Sequence, residues 1–238
     1  MKIIVEKDTL VEKIGQALDE MIKSRGNKPL LLLLSGGSSL ELLNYVQEDS
    51  LSADITIGML DDRYSYDSSV NSYSLLQSPG FASDFYKKAR KAGVRFLDST
   101  PFQFETLNEY ASRYEKTIEE WMIKNPEGII RATVGIGPDG HTSGVLPYPE
   151  DPEKFNTLFN GEKLIIGYDV ENKNPFRYRL TSTFTFMRQF NEVLTYMSGE
   201  NKMEALKKVI AEEGSLAETP GRIVRELKNV TIYTDIEL

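Results

Sequence analysis

Short apolar runs alternate with longer amphipathic stretches along nearly the whole chain, a rhythm that argues for an α/β domain built on a largely parallel sheet. The spacing predicts strands over residues 2–5, 30–34, 55–60, 94–97, 130–136, 164–168, 193–197 and 230–233. Between them it predicts helices over residues 9–23, 39–46, 83–92, 107–124 and 202–212. In the fourth helix, Leu107, Tyr110, Ala111, Tyr114, Ile118, Trp121 and Met122 form a stripe at helical spacing, which reads as core. Residues 146–163 carry three prolines and no clear period, so they are expected to be a long loop or lid, or a surface excursion. No internal repeat or linker-like shift in composition divides the 238 residues, and one domain, 1–238, is the expectation.

Composition removes several kinds of chemistry. With no cysteine, disulfides and thiolate nucleophiles are excluded, and a lone histidine argues against a histidine-based zinc site. A net charge of −8 disfavours a general nucleic-acid binder, which needs a concentrated positive face. One small phosphorylated ligand needs only a few local cations and stays allowed. The longest apolar run, Leu30 to Leu34, is far too short to cross a bilayer. Lys2, Glu6, Lys7 and Asp8 stand where a signal peptide would be apolar, so a cytoplasmic protein without a membrane partner is expected.

Four stretches carry chemistry. Ser35-Gly36-Gly37-Ser38-Ser39 follows the leucine run; backbone N–H groups and hydroxyls at such a strand-to-helix turn can cradle a phosphate, or simply make a tight turn. Asp61-Asp62-Arg63 follows another strand, where Arg63 can hold a phosphate or carboxylate, or pair with the acids in a solvated loop. Gly135-Ile136-Gly137-Pro138-Asp139-Gly140-His141-Thr142 holds the only histidine at the end of a third strand, the edge where open α/β sheets bind ligands. Asp139 stands two residues away and can orient the ring of His141 as a general base, although a loop histidine can equally be inert. Finally, Arg179 precedes a hydroxyl-rich run, and Lys202 opens a helix, a poor position for a cation unless it serves an anion.

Taken together, these stretches resemble the 6-phosphogluconolactonase family, within the larger group that includes glucosamine-6-phosphate deaminase. The family's Ser-Gly-Gly-Ser-Thr-Pro loop is matched by Ser35 to Leu40, and its Asp-Glu-Arg segment with a later Ser-Asn by Asp61 to Arg63 with Val70-Asn71. Its Gly-Met-Gly-Pro-Asp-Gly-His-Thr element is matched by Gly135 to Thr142, its Arg-Val-Thr-Leu-Thr strand by Arg179 to Thr183, and its Gly-x-x-Lys by Gly199 to Lys202. Leu40 replaces the usual proline, Asp62 the usual glutamate, and Gly144-Val145-Leu146 the usual small-then-apolar run.

The resemblance implies a Rossmann-like sheet flanked by helices, of the NagB/RpiA/CoA transferase-like type. It implies hydrolysis of 6-phospho-D-glucono-1,5-lactone to 6-phospho-D-gluconate in the oxidative pentose phosphate pathway, with no metal and no cofactor, by a monomer or small homo-oligomer. His141, Asp139 and Arg63 would be catalytic. Gly36, Gly37, Ser38, Ser39, Arg179 and Lys202 would hold the phosphate, and Asp61 and Asn71 would contact hydroxyls or position loops. Deaminases of the group carry a glutamate five residues after the motif histidine; here that position is Leu146, which disfavours the isomerase or deaminase alternative. A non-catalytic sugar-phosphate sensor is the other alternative, and the Asp139, His141 and Arg63 set speaks against it.

Overall fold

A computed structural model describes residues 1–79 and 82–237. Among the described residues, seven strands form one sheet in which every pairing is parallel. They are β1 (Lys2–Val5), β2 (Leu30–Leu34), β3 (Ile55–Met59), β5 (Arg95–Phe96), β6 (Ile129–Gly135), β9 (Glu192–Met197) and β10 (Val230–Thr234). β4 (Asp61–Arg63), β7 (Ile165–Asp169) and β8 (Tyr178–Ser182) make a small antiparallel sheet instead, in the order β4-β8-β7. The strand expected over 164–168 belongs to this second sheet, which the apolar rhythm did not announce.

The leucine run explains the layering. Every residue of β2 is buried, with Leu31 and Leu33 on one side and Leu30, Leu32 and Leu34 on the other. Strands buried on both faces are the mark of a parallel sheet covered by helices. One layer includes α1 (Leu10–Lys23) with α3 (Ser83–Lys91); the other includes α4 (Leu107–Lys124), α5 (Pro152–Phe159) and α7 (Met203–Ile210). The stripe on α4 is core as expected, with Tyr110, Tyr114 and Ile118 fully buried. A Thr106–Glu109 capping box starts that helix. Among the described residues, no helix is long and apolar enough to cross a membrane.

Three expectations change. The helix over 39–46 is a 3-10 helix, Gly37–Tyr45, and its N-cap is Gly36. The helix over 202–212 is α7 preceded by a 3-10 turn, Glu200–Lys202. Residues 146–163 are neither a long loop nor a loose excursion. Asp151 caps α5 and Pro152 occupies its first turn, while Phe155 and Phe159 pack at 5.7 and 6.2 Å from the Phe184 ring. Sequence periodicity missed α5 because only two of its eight residues are fully buried.

The strand order β1-β10-β9-β6-β2-β3-β5 reverses direction between β2 and β6. The chain steps from β2 outward to β3 and β5, then returns to the far side of β2. Loops leaving the carboxyl ends of two such strands diverge and open a crevice. Here those loops are Ser35–Ser39 and Gly135–Thr142.

Candidate active site

The crevice encloses about 290 Å³ and draws its walls from both sheets. His141, Arg63, Asp61, Arg179, Lys202 and the Gly36–Ser39 turn all line it. Each side chain is delivered by a recognisable local device.

His141 sits in a tight loop closed by backbone bonds from Gly137 N to His141 O (2.9 Å) and from Gly140 N to Gly137 O (3.0 Å). Gly140 has φ of 83°, a left-handed value that favours glycine. Asp139 Oδ1 lies 2.5 Å from His141 Nδ1 and also accepts the His141 backbone N–H at 3.1 Å. Burial pushes the Asp139 carboxyl up, but its hydrogen bonds with His141 and the attraction of that ring prevail, so it titrates below its ordinary value. An ionised carboxylate only accepts, so Nδ1 carries a proton towards it, and in the neutral ring Nε2 keeps the lone pair that a base needs.

Arg63 and Arg179 stand directly opposite each other in the β4–β8 pairing. Like charges at opposed positions repel, a cost relieved by an anion between or beyond them. Arg63 Nη1 donates to Val70 O (3.3 Å) and Ser72 Oγ (3.1 Å), while its buried Nε has no partner among the described residues. Arg179 Nε donates to Phe176 O at 3.0 Å. Burial holds the Arg179 guanidinium below its ordinary value; neighbouring Asp61 opposes that and Arg63 adds to it. Lys202 follows Gly199, whose φ is 101° and whose N–H donates to Asp235 Oδ1 at 2.9 Å. Burial lowers the Lys202 ammonium, and Asp235 partly restores it.

Gly36, Gly37 and the exposed Ser38 line the crevice at the start of the turn. Ser39 differs from expectation. Its hydroxyl turns inward and donates to Ser35 O (2.9 Å) and Gly36 O (2.8 Å), which closes the turn. Asn71 also departs from a binding role. It is buried, accepts Ser74 N as the N-cap of α2 (Ser72–Gln77), and donates to Ser99 O, so it positions a loop and does not line the crevice. The two aspartates divide: Asp61 faces the crevice, whereas Asp62 lies fully buried beneath it. Ser72, Ser143 and Tyr196 line the site too, and only their neighbours in space reveal them. Leu146 is buried in the core, its N–H on the Tyr168 hydroxyl, so no carboxylate approaches from that position.

Residues 6–233 match the family model of glucosamine-6-phosphate isomerases/6-phosphogluconolactonase. The chain belongs to this family. A 6-phosphogluconolactonase of Chlamydia trachomatis is 26% identical over 120 residues, which cover 50% of this chain and 43% of that protein. The chain thus aligns with less than half the length of this family relative. In structure, a 6-phosphogluconolactonase of Trypanosoma brucei superposes with a TM-score of 0.74 over 98% of this chain and 95% of that one, at 18% identity. A monomeric glucosamine-6-phosphate deaminase superposes with a TM-score of 0.71 over 98% and 97%, also at 18% identity. The family fold therefore serves both reactions, and the backbone alone does not choose between them.

Proposed function

We propose that the protein hydrolyses 6-phospho-D-glucono-1,5-lactone to 6-phospho-D-gluconate, a step of the oxidative pentose phosphate pathway. The observation that carries this reading is His141, which lines a crevice with three cations and lies 2.5 Å from Asp139 at its Nδ1, while the family's deaminase glutamate position holds buried Leu146. His141 Nε2 takes a proton from a water molecule as its oxygen attacks the lactone carbonyl. The carbonyl becomes an oxyanion, and Asp139 supports the imidazolium. When the intermediate collapses, the ring C–O bond breaks and the imidazolium returns the proton to the departing oxygen. Arg63 steadies the oxyanion or aligns the sugar, and charge stabilisation of this kind typically contributes about 3 kcal/mol. The phosphate rests on the Gly36–Ser39 turn with Arg179 and Lys202 as counter-charges, so an acidic protein attracts an acidic ligand through local cations. Asp61 accepts a sugar hydroxyl. A charged substrate that does not cross membranes also implies a cytoplasmic location.

The test is lactone hydrolysis at neutral pH in EDTA, with spontaneous hydrolysis subtracted, for wild type and His141→Ala. The expected result is wild-type turnover that drops by ~100-fold or more in the variant, the usual scale for a lost general base. No turnover above background, together with ammonia release from an amino-sugar phosphate, would move the assignment to the deaminase branch.

A further inference from the structure

Under the crevice floor, out of reach of anything bound above it, the Asp62 carboxylate gathers four donors. Oδ1 accepts the N–H groups of Arg63 (2.8 Å) and Ser72 (2.7 Å); Oδ2 accepts the Tyr73 N–H (3.2 Å) and the Ser99 hydroxyl (2.6 Å). Those groups come from β4, from the start of α2 and from the segment after β5, three pieces of chain that share no backbone ladder. Every approaching group donates, and a carboxylate accepts on both oxygens where an amide accepts on one. A buried ion is costly to maintain, so a network of this kind is all-or-nothing.

Its upper edge is the active site. Ser72, whose N–H sits on Asp62, turns its hydroxyl to Arg63 Nη1. The same serine presses against the phosphate turn, for a Cβ added at Gly36 would lie 2.9 Å from Ser72 Cβ. With Nε unpartnered among the described residues, the guanidinium is held by Val70 O and Ser72 Oγ and by the Phe176 ring at 5.4 Å. We propose that Asp62 is the positioning residue for Arg63: by holding the Ser72 and Tyr73 N–H groups it fixes the Ser72 hydroxyl on which the guanidinium rests. It touches no substrate, and its effect on turnover passes through Arg63. This inference rests on the lactonase reading for the identity of the substrate, though not for the geometry.

A double-mutant cycle tests it, using Asp62→Asn, Arg63→Ala and the double variant, with thermal unfolding recorded for each. In the Arg63 background Asp62→Asn should lower kcat/KM for the lactone about tenfold or more. In the Arg63→Ala background it should lower it less than about twofold, since contacting residues couple and a general loss of stability does not. Equal losses in both backgrounds overturn the proposal. Should Asp62→Asn fail to fold, Ser99→Ala replaces it; this removes one donor and leaves three, and its smaller loss must likewise vanish without Arg63. Should the wild type hydrolyse no lactone, the functional reading fails by itself. A crystal structure of Asp62→Asn, or of Ser99→Ala if the former does not fold, then decides the geometry. A guanidinium displaced from Ser72 Oγ supports the proposal, and one still at 3.1 Å refutes it.

Discussion

Gly137→Ala would test the active-site geometry with a single methyl group. Gly137 has no left-handed φ, so an alanine backbone fits there without strain. The obstruction is the imidazole: an added Cβ would stand 2.9 Å from His141 Nε2 and nearer still to Cε1 and Nδ1, whereas ordinary contact begins at 3.4 Å. The Cβ cannot retreat easily, because Gly137 N and O are both tied into the loop, to His141 O and Gly140 N. The ring must therefore withdraw, and recovering ordinary contact for its nearer atoms takes a displacement on the order of 1 Å, a misplacement that can cost about 100-fold in rate. That corresponds to ~2.7 kcal/mol on the barrier. The 2.5 Å contact with Asp139 would be lost in the same movement. The assay is kcat for lactone hydrolysis with and without the substitution, in wild type and in His141→Ala. The expected result is a ~100-fold fall that disappears once the imidazole is gone, with the unfolding temperature nearly unchanged. A kcat within about threefold of wild type would refute the reasoning, as would the same loss in the His141→Ala background.

Lys202→Ala should mainly raise KM if, as proposed, its ammonium anchors the phosphate and does not enter the bond changes; an unchanged KM in steady-state kinetics would remove it from the phosphate site. Phe155→Ala should destabilise the protein by about 3–5 kcal/mol in denaturant unfolding, since the ring is fully buried against Phe159 and Phe184; a loss below about 1 kcal/mol would mean that α5 is not part of the core. Burial raises Asp62 from 3.8 to about 6, against the hydrogen bonds from Ser99, Ser72, Arg63 and Tyr73. A raised carboxyl favours the native state below its unfolded value, and that advantage is lost as pH rises through about 6. At about 1.4 kcal/mol per pH unit, wild type should lose roughly 3 kcal/mol relative to Asp62→Asn between pH 3 and 8, and a flat difference in denaturant unfolding would refute the shift.

What could be read in the sequence was whatever repeats at short range. Leu30 to Leu34 declared a strand buried on both faces, and the stripe from Leu107 to Met122 declared a helix whose ends match those observed. The glycine-bracketed Asp139 and His141 could be placed together at a strand end, because two residues separated by one glycine can bring their side chains into contact; of the two, His141 lines the crevice. Such features depend on side-chain period and turn chemistry, which a few neighbouring residues settle between them.

The remaining features needed the folded chain. Nothing local distinguishes Asp61, facing the crevice, from Asp62, buried under it; the pairing of β4 with β8, more than a hundred residues onward, turns one up and the other down. That pairing also sets Arg63 against Arg179, and the packing of α2 brings Ser72 to both Arg63 and the Gly36 turn. Ser39, which reads as a ligand contact, spends its hydroxyl on closing its own turn, and Asn71 caps a helix that carries no strong periodic signal. The α5 helix escaped notice because only two of its eight residues, Phe155 and Phe159, are fully buried, and the rings they pack on, Phe184 and Tyr168, lie on other elements. Period and turn residues are properties of adjacent side chains, so the sequence by itself determined the sheet's central strands and singled out the histidine proposed as the base. Which charges face one another depends on strand register between distant segments, and only the tertiary structure decided that.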